Sequence, residues 1–348
     1  MAPPSTSTST SSLPAAPALP SPGGRARLIA TALALAVTVA LCWWALKGVH
    51  PSQIWHALKS SDGWWIVPSL VAFVLANGAR ALRWRSLFAP GRRPGVLATT
   101  NAMLIGYLFN NVLPARAGEA ARVVTLTRRA EVPAAEVVAT VVVERIFDVF
   151  ALLVIFFAAQ PWLPHVSWIH AAALAAIGLA VAIAAVVVVL TVWGERALRI
   201  VLAPAERLPF VSPERTERAA GELLLGLAGL RRHGVALTAL ALTAVAWMLS
   251  ALCCWLAAKA FPLHLGLDAG VLVTSAVGLS MVLPAPPAAL GVFEAAVVLA
   301  LHAYGLTHGQ ALPYALVLHA INFFPFILVG LGVLAYNARH PPGRKLAS

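Results

Sequence analysis

The chain has 348 residues, of which 60% are hydrophobic and only 11% charged, with a formal net charge of +12 and a mean hydropathy of +0.83. A soluble domain carries roughly 25% charged residues, so the composition excludes a soluble enzyme or binding module. The apolar runs are continuous and rich in Ala, Leu and Val, which excludes an alternating β-barrel and predicts an all-α polytopic membrane protein.

Residues 1–24 are mostly Ser, Thr, Pro and Ala, too poor in large apolar side chains to bury a core, and are expected to be a disordered tail. Arg25 and Arg27 precede Leu28–Leu46. That run imitates a secretory signal, but Lys47-Gly48-Val49-His50 after it is no small-residue cleavage site, so it reads as a retained first span. Further full spans are predicted at Trp64–Ala79, Val137–Ala159, Trp168–Val192, Val235–Ala258 and Leu312–Tyr336, about six in all. Residues 193–234 alternate charged and apolar side chains, as a cytoplasmic amphipathic linker would. Residues 25–337 form a single integral membrane domain in this reading, and 338–348 a cytoplasmic tail.

Two further segments are broken. Val96–Leu113 runs into Val112-Leu113-Pro114-Ala115-Arg116-Ala117-Gly118-Glu119-Ala120. Leu272–Leu283 runs into Pro284-Ala285-Pro286-Pro287-Ala288-Ala289-Leu290-Gly291-Val292-Phe293-Glu294-Ala295. Both read V-L-P-A, then a Gly, then Glu-Ala. A Pro/Gly break with a carboxylate, repeated in two halves of a hydrophobic chain, points to a transporter-like binding site. Irregular backbone at membrane depth must face protein or a water-filled cavity, so both elements are expected to be re-entrant and inward-facing. With both termini inside, 21 of the 25 Lys and Arg fall in cytoplasmic segments, a strong positive-inside bias. Arg80, Arg83 and Arg122 are counted there. The first break is then entered from the cytoplasm and the second from outside, an inverted-repeat-like arrangement. The clusters flank spans, so the net charge reads as attraction to anionic headgroups of an inner membrane and not to nucleic acid.

Glu144, Arg145 and Asp148 lie inside Val137–Ala159. A central charge costs roughly 2.5–3.5 kcal/mol on insertion scales, so three together suggest a polar site facing the bundle interior. The alternative shifts the span to Ile146–Leu163 and leaves Glu144 and Arg145 as interface anchors. Arg116, Glu119 and Arg122 follow the first break at helical spacing. They offer an opened helix N-terminus with free N–H groups for an anion, or an ordinary basic loop. Glu294 in its apolar arm must be paired, protonated or facing water. Asn110, Asn111 and Asn322 read as interhelical hydrogen-bonders. His302 and His319 have no metal-ligand spacing, and Cys42, Cys253 and Cys254 no disulfide or metal framework. No catalytic motif and no cofactor motif is visible.

Arg80-Ala81-Leu82-Arg83-Trp84, the stretch Asn111 to Glu119 with Arg122, Glu144-Arg145 with Asp148, and Leu283-Pro284 through Gly291 and Glu294 together resemble the flippase-like family. This is the transmembrane region of bacterial lysylphosphatidylglycerol synthases and its stand-alone relatives, and the resemblance covers most of 28–337. One departure is Pro286-Pro287, where a more polar turn is the pattern. The resemblance implies movement of a finished lipid across the bilayer, in synthases whose soluble C-terminal domain makes that lipid. The sequence ends twelve residues after Tyr336, and synthase activity is not expected here.

The expected function is that of a lipid translocase, not an enzyme. Arg116, Arg122 and Arg145 would hold an anionic headgroup. Glu119, Glu144, Asp148 and Glu294 would tune charge or exchange protons, and Asn111, Pro114, Gly118, Pro284, Pro286 and Gly291 would shape the breaks. Membrane lipids are the expected partners. Two rivals stand beside it: an intramembrane transferase acting on lipid-linked substrates, and a non-transporting subunit of a separate lipid-modifying enzyme.

Overall fold

Where no water satisfies backbone amides, apolar runs must close their hydrogen bonds within themselves, and these runs do so as helices. The structure is a computed structural model that describes residues 51–88, 91–113, 117–164, 233–281 and 286–340, with Trp43, Leu174, Ile177, Gly178 and Val181 as isolated positions. Nine α-helices occur among the described residues: α1 Pro51–Lys59, α2 Ile66–Ser86, α3 Val96–Val112, α4 Ala117–Ala130, α5 Ala134–Ala159, α6 His233–Lys259, α7 Leu267–Ser280, α8 Val292–His302 and α9 His308–Arg339. Apart from those isolated positions, the expected spans Leu28–Leu46 and Trp168–Val192, and most of the tails and of linker 193–234, lie outside the described residues. So do Pro114, Arg116 and Pro284.

Among the described residues, three stretches are long and apolar enough to cross a membrane: Gly63–Ser86, Gly234–Lys259 and His308–Arg339. Helix α5 is 26 residues long, but it carries Glu144, Arg145 and Asp148 in its middle. The two broken segments are helical hairpins, α3 with α4 and α7 with α8.

The helices form two sets of four with the same order of lengths. Helices α2 to α5 run long, short, short, long, and α6 to α9 repeat that order. Their packing repeats as well. Helix α3 packs on α4 and α9; the corresponding α7 packs on α8 and α5. Helices α2 and α6, the equivalent first members, form the most extensive helix pair. They are antiparallel: Asp62 N–H just before α2 donates to Ala260 O just after α6, 2.8 Å, Ser69 bonds Cys253 O, and Arg83 bonds Thr243. Equivalent helices that run in opposite directions make the two halves inverted repeats, as the repeated V-L-P-A break suggested.

Antiparallel pairing sorts the loops into two ends. One end carries Arg85, Arg92, Arg93, Arg128, Arg129 and Arg339. Here a small apolar cluster gathers around Trp84, Phe88 and Leu126. The other end holds Asp62, Asp268 and the larger apolar cluster that includes Phe261, Leu301 and Tyr314. There the Tyr304 hydroxyl donates to Asp268 at 2.7 Å; burial and that carboxylate hold the phenol well above its ordinary range.

Candidate functional site

Helix α2 does not stop at Ala79. It runs on to Ser86 and carries Arg80 and Arg83 into the bundle. Arg83 is 0% exposed, so the reading that placed it in a cytoplasmic loop is corrected. An arginine at this depth is tolerated because carboxylates neutralise it. Its guanidinium forks onto Asp148 at 2.5 and 3.2 Å and reaches Glu144 at 3.2 Å. Glu144, 1% exposed, also takes Arg122 at 2.5 Å and Arg145 at 3.0 Å. It is therefore not an interface anchor.

The remaining partners complete one network. Trp247 N–H donates to Asp148 at 3.1 Å. Glu119 meets Arg122 at 3.5 Å and Arg145 at 3.6 Å. The Arg122 guanidinium lies 4.0 Å over the Trp84 ring, whose N–H is held by Thr140 at 3.0 Å. Three arginines thus face three carboxylates, and their charges cancel. Arg122 is enclosed in this lattice and does not line the adjoining cavity. Its guanidinium serves Glu144 and Glu119, which leaves it a structural part of the site. Arg145 differs, because its side chain is 41% exposed and forms part of the cavity wall.

That cavity, about 510 Å³, lies where the two halves meet, with walls from both. The size falls within the roughly 300–1,000 Å³ of small-ligand sites. Its lining is mostly apolar, including Phe73, Trp247, Phe293 and Phe326, with polar groups from Asn77, Tyr107, Ser250 and Asn322. Arg80 lines it too. It donates to Ser250 Oγ at 2.8 Å and sits 5.0 Å over the Trp247 ring. Among the described residues no carboxylate pairs with it. Sequence reasoning treated Arg80 as an anchor. The signal available was its place three residues before Arg83 on one helix face.

The breaks show why Gly occupies them. A Cβ at Gly118 would overlap the Gly106 carbonyl oxygen and Asn110, so the α3–α4 hairpin closes only around glycine. Asn110 Oδ1 accepts the Gly118 N–H at 2.9 Å. That one amide at the start of α4 is therefore already taken. Asn111 lies in the last turn of α3. Pro286 precedes the short turn Pro287–Ala289, and Gly291, at φ 78, opens α8. Gly291 N–H donates to Glu294 at 2.8 Å, and Glu294 also pairs with His319 of α9 at 2.5 Å. Asn322 bonds Leu318 O of its own helix and lines the cavity instead of bridging helices. Among the described residues, no group of three or more His, Cys, Asp or Glu is placed to hold a metal.

The site residues occupy equivalent places in the two halves. Glu119 and Glu294 each stand third in the second short helix. Arg145 and Asp148 lie as far along α5 as His319 and Asn322 along α9. The pair Glu119–Arg145 in one half answers to Glu294–His319 in the other.

Comparison with known proteins places this architecture. The description "Lysylphosphatidylglycerol synthase TM region" matches residues 31–330. The chain is also 30% identical over 128 residues to a protein of Haloferax volcanii named glycosyltransferase AglD. That alignment covers 36% of this chain and 19% of the relative, so the chain matches about a fifth of that protein's length.

Proposed function

The chain belongs to the family of the lysylphosphatidylglycerol synthase transmembrane region, and from that premise we propose that this multi-pass membrane protein translocates a lipid whose headgroup carries a phosphate. The lipid-related role is the common ground of the family and the glycosyltransferase-named relative. Translocation is our reading of the site. The headgroup sits in the cavity between the inverted halves, against Arg80 and Arg145, while the acyl or prenyl chain stays in the bilayer.

The observation that carries this reading is Arg80. A cation in an apolar-walled cavity needs a counter-charge. The network beside it is balanced, so the charge left over in the described interior is Arg80 and a bound anion would answer it. Arginine binds phosphate through a planar fork of donors. Inverted halves that meet at such a site suit alternating access, in which one half rocks against the other.

The test uses the full chain in phosphatidylcholine vesicles with traces of fluorescent phosphatidylglycerol or fluorescent polyprenyl phosphate. Protein-dependent movement between leaflets is expected for at least one of the two. Arg80→Gln is expected to slow it about tenfold, the loss of one charge-assisted contact of roughly 1.5 kcal/mol, with folding by size exclusion unchanged. No movement of either lipid, or equal rates in Arg80→Gln and wild type, overturns the proposal.

The similarity to a glycosyltransferase-named protein favours a second reading, in which the same cavity holds the phosphate of a lipid-linked sugar for a transferase. Turnover of such a lipid in detergent, where no second leaflet exists, would favour that reading.

A further inference from the structure

His319 lies between two hydrogen-bond acceptors. Its Nδ1 faces Glu294 Oε1 at 2.5 Å, and its Nε2 faces the Ala288 carbonyl at 2.9 Å. A neutral imidazole carries one N–H. A neutral ring beside an ionised Glu294 would therefore leave one of these contacts without a hydrogen. Both are satisfied only when the pair holds a second proton, either as imidazolium with carboxylate or as neutral ring with carboxylic acid. The Gly291 N–H, already on Glu294 Oε2, fixes the carboxyl group without supplying that proton.

The Ala288 carbonyl belongs to a strained segment. Ala288 and Ala289 hold φ of 56° and 55°, a left-handed region that residues with a Cβ rarely adopt. The Nε2 contact ties this turn to α9. The His319 ring also stacks on Phe293 at 4.6 Å, and Phe293 forms cavity wall. We propose that His319 and Glu294 form a proton-binding site that latches the second break: with its proton the turn is held against α9, and on losing it the turn is released beside the cavity.

Glu294 is the one described charged group bonded to His319. Across the cavity, α5 brings Glu144, Arg145 and Asp148, which are engaged with one another and with Arg83 and Arg122. Helix α7 brings Thr274 and Ser275 but no charge, since its Asp268 is at the far end on Tyr304. Helix α6 brings Cys253 and Cys254, α3 Tyr107, α2 Arg80 across the cavity, and α9 itself Tyr314, whose hydroxyl donates to Cys254 O. In the other half the equivalent place is Arg145, which keeps its charge at every physiological pH. The inverted repeat is thus proton-sensitive on one side.

A consequence follows if the proposed translocation holds. The protonated pair is neutral and the deprotonated pair carries one negative charge. Proton loss then offsets Arg80 and weakens the hold on a phosphate, so lipid and proton travel and leave together.

The latch is tested without lipid movement. A cysteine is placed in the turn by Ala289→Cys, and its maleimide labelling in the full chain is read against a reference cysteine at exposed Ser60→Cys, after subtracting the unsubstituted protein. Between about pH 5.5 and about pH 8.5 the normalised rate is expected to rise roughly fivefold as the turn opens locally. His319→Gln is expected to label fast at both pH values. Glu294→Gln is expected to label slowly at both, because its amide donates to Nδ1 of a neutral ring whose Nε2–H still reaches Ala288. A destabilised fold would not produce that protected state. A normalised rate flat with pH in the native pair, or Glu294→Gln that opens with pH like wild type, overturns the latch. Latching as expected in a protein that moves neither fluorescent lipid would sink translocation and leave the proton site standing.

Discussion

Arg83 and Arg145 bind the same two carboxylates, yet their surroundings give them different work. Arg83 is 0% exposed and holds Asp148 through both terminal nitrogens. Removing one member of such a buried set leaves uncompensated charge and costs roughly 3–5 kcal/mol. Arg83→Ala should therefore lose most of its monodisperse folded protein on size exclusion. Arg145 reaches the same acids from the cavity side, 41% exposed, where solvent screens part of the loss. Arg145→Ala should still elute as folded protein but move labelled lipid about tenfold more slowly, and Arg145→Lys should recover little because ammonium lacks the planar fork. Exposed Arg339→Ala is the control. If Arg145→Ala matched wild type, or failed no more than Arg339→Ala, Arg145 would have no place in the headgroup site. The presence of buried charge on α5 was readable from its apolar setting. Which arginines answered it was not, because Arg83 and Arg122 look like positive-inside anchors until the helices bring them to Glu144.

At the scale of elements, the hairpins depend on close backbone approach. Helices α3 and α4 cross where Gly106 and Gly118 face each other, and a side chain at Gly118 would meet both the Gly106 carbonyl and Asn110. Gly118→Val is expected to separate the hairpin and to displace α4, which carries Glu119 and Arg122. The cost of such overpacking is roughly 1–3 kcal/mol. It should be read as a fall in thermal midpoint, measured by loss of the monodisperse peak after heating, with Gly332→Val, where a Cβ meets nothing, as reference. Equal midpoints for the two variants would show that the contact does not hold the hairpin. The break itself was legible as Pro, Gly and a carboxylate in a hydrophobic run. The capping of Gly118 by Asn110 was not, since it needs the end of α3 folded back on the start of α4.

At the scale of the molecule, the antiparallel pairing of α2 with α6 gathers arginines at one end and acids with loop residues of α8 and α9 at the other. By the positive-inside rule we propose that the arginine end faces the cytoplasm. Single cysteines at Arg128 and Thr216 should react with a membrane-impermeant reagent only after the membrane is opened, and one at Thr307 should react in intact cells. External labelling at Arg128 or Thr216 would overturn this orientation. The same geometry gives the cavity one wall from each half, so neither half alone can form it.

Composition and hydrophobic run length were sufficient for the helical membrane class, because burying backbone amides in lipid leaves a chain this apolar few options. The repeated V-L-P-A break and its glutamates marked the two places where the helices would be interrupted. What the sequence could not determine was the pairing of charges. Insertion cost depends on whether each charge finds a partner, and partners here come from α2, α4 and α5, brought together only by packing. Packing alone enclosed Arg122 between Glu119 and Glu144 and set Arg80 on the cavity wall. It also set His319 between two acceptors, a relation between α8 and α9 that no spacing along the chain encodes.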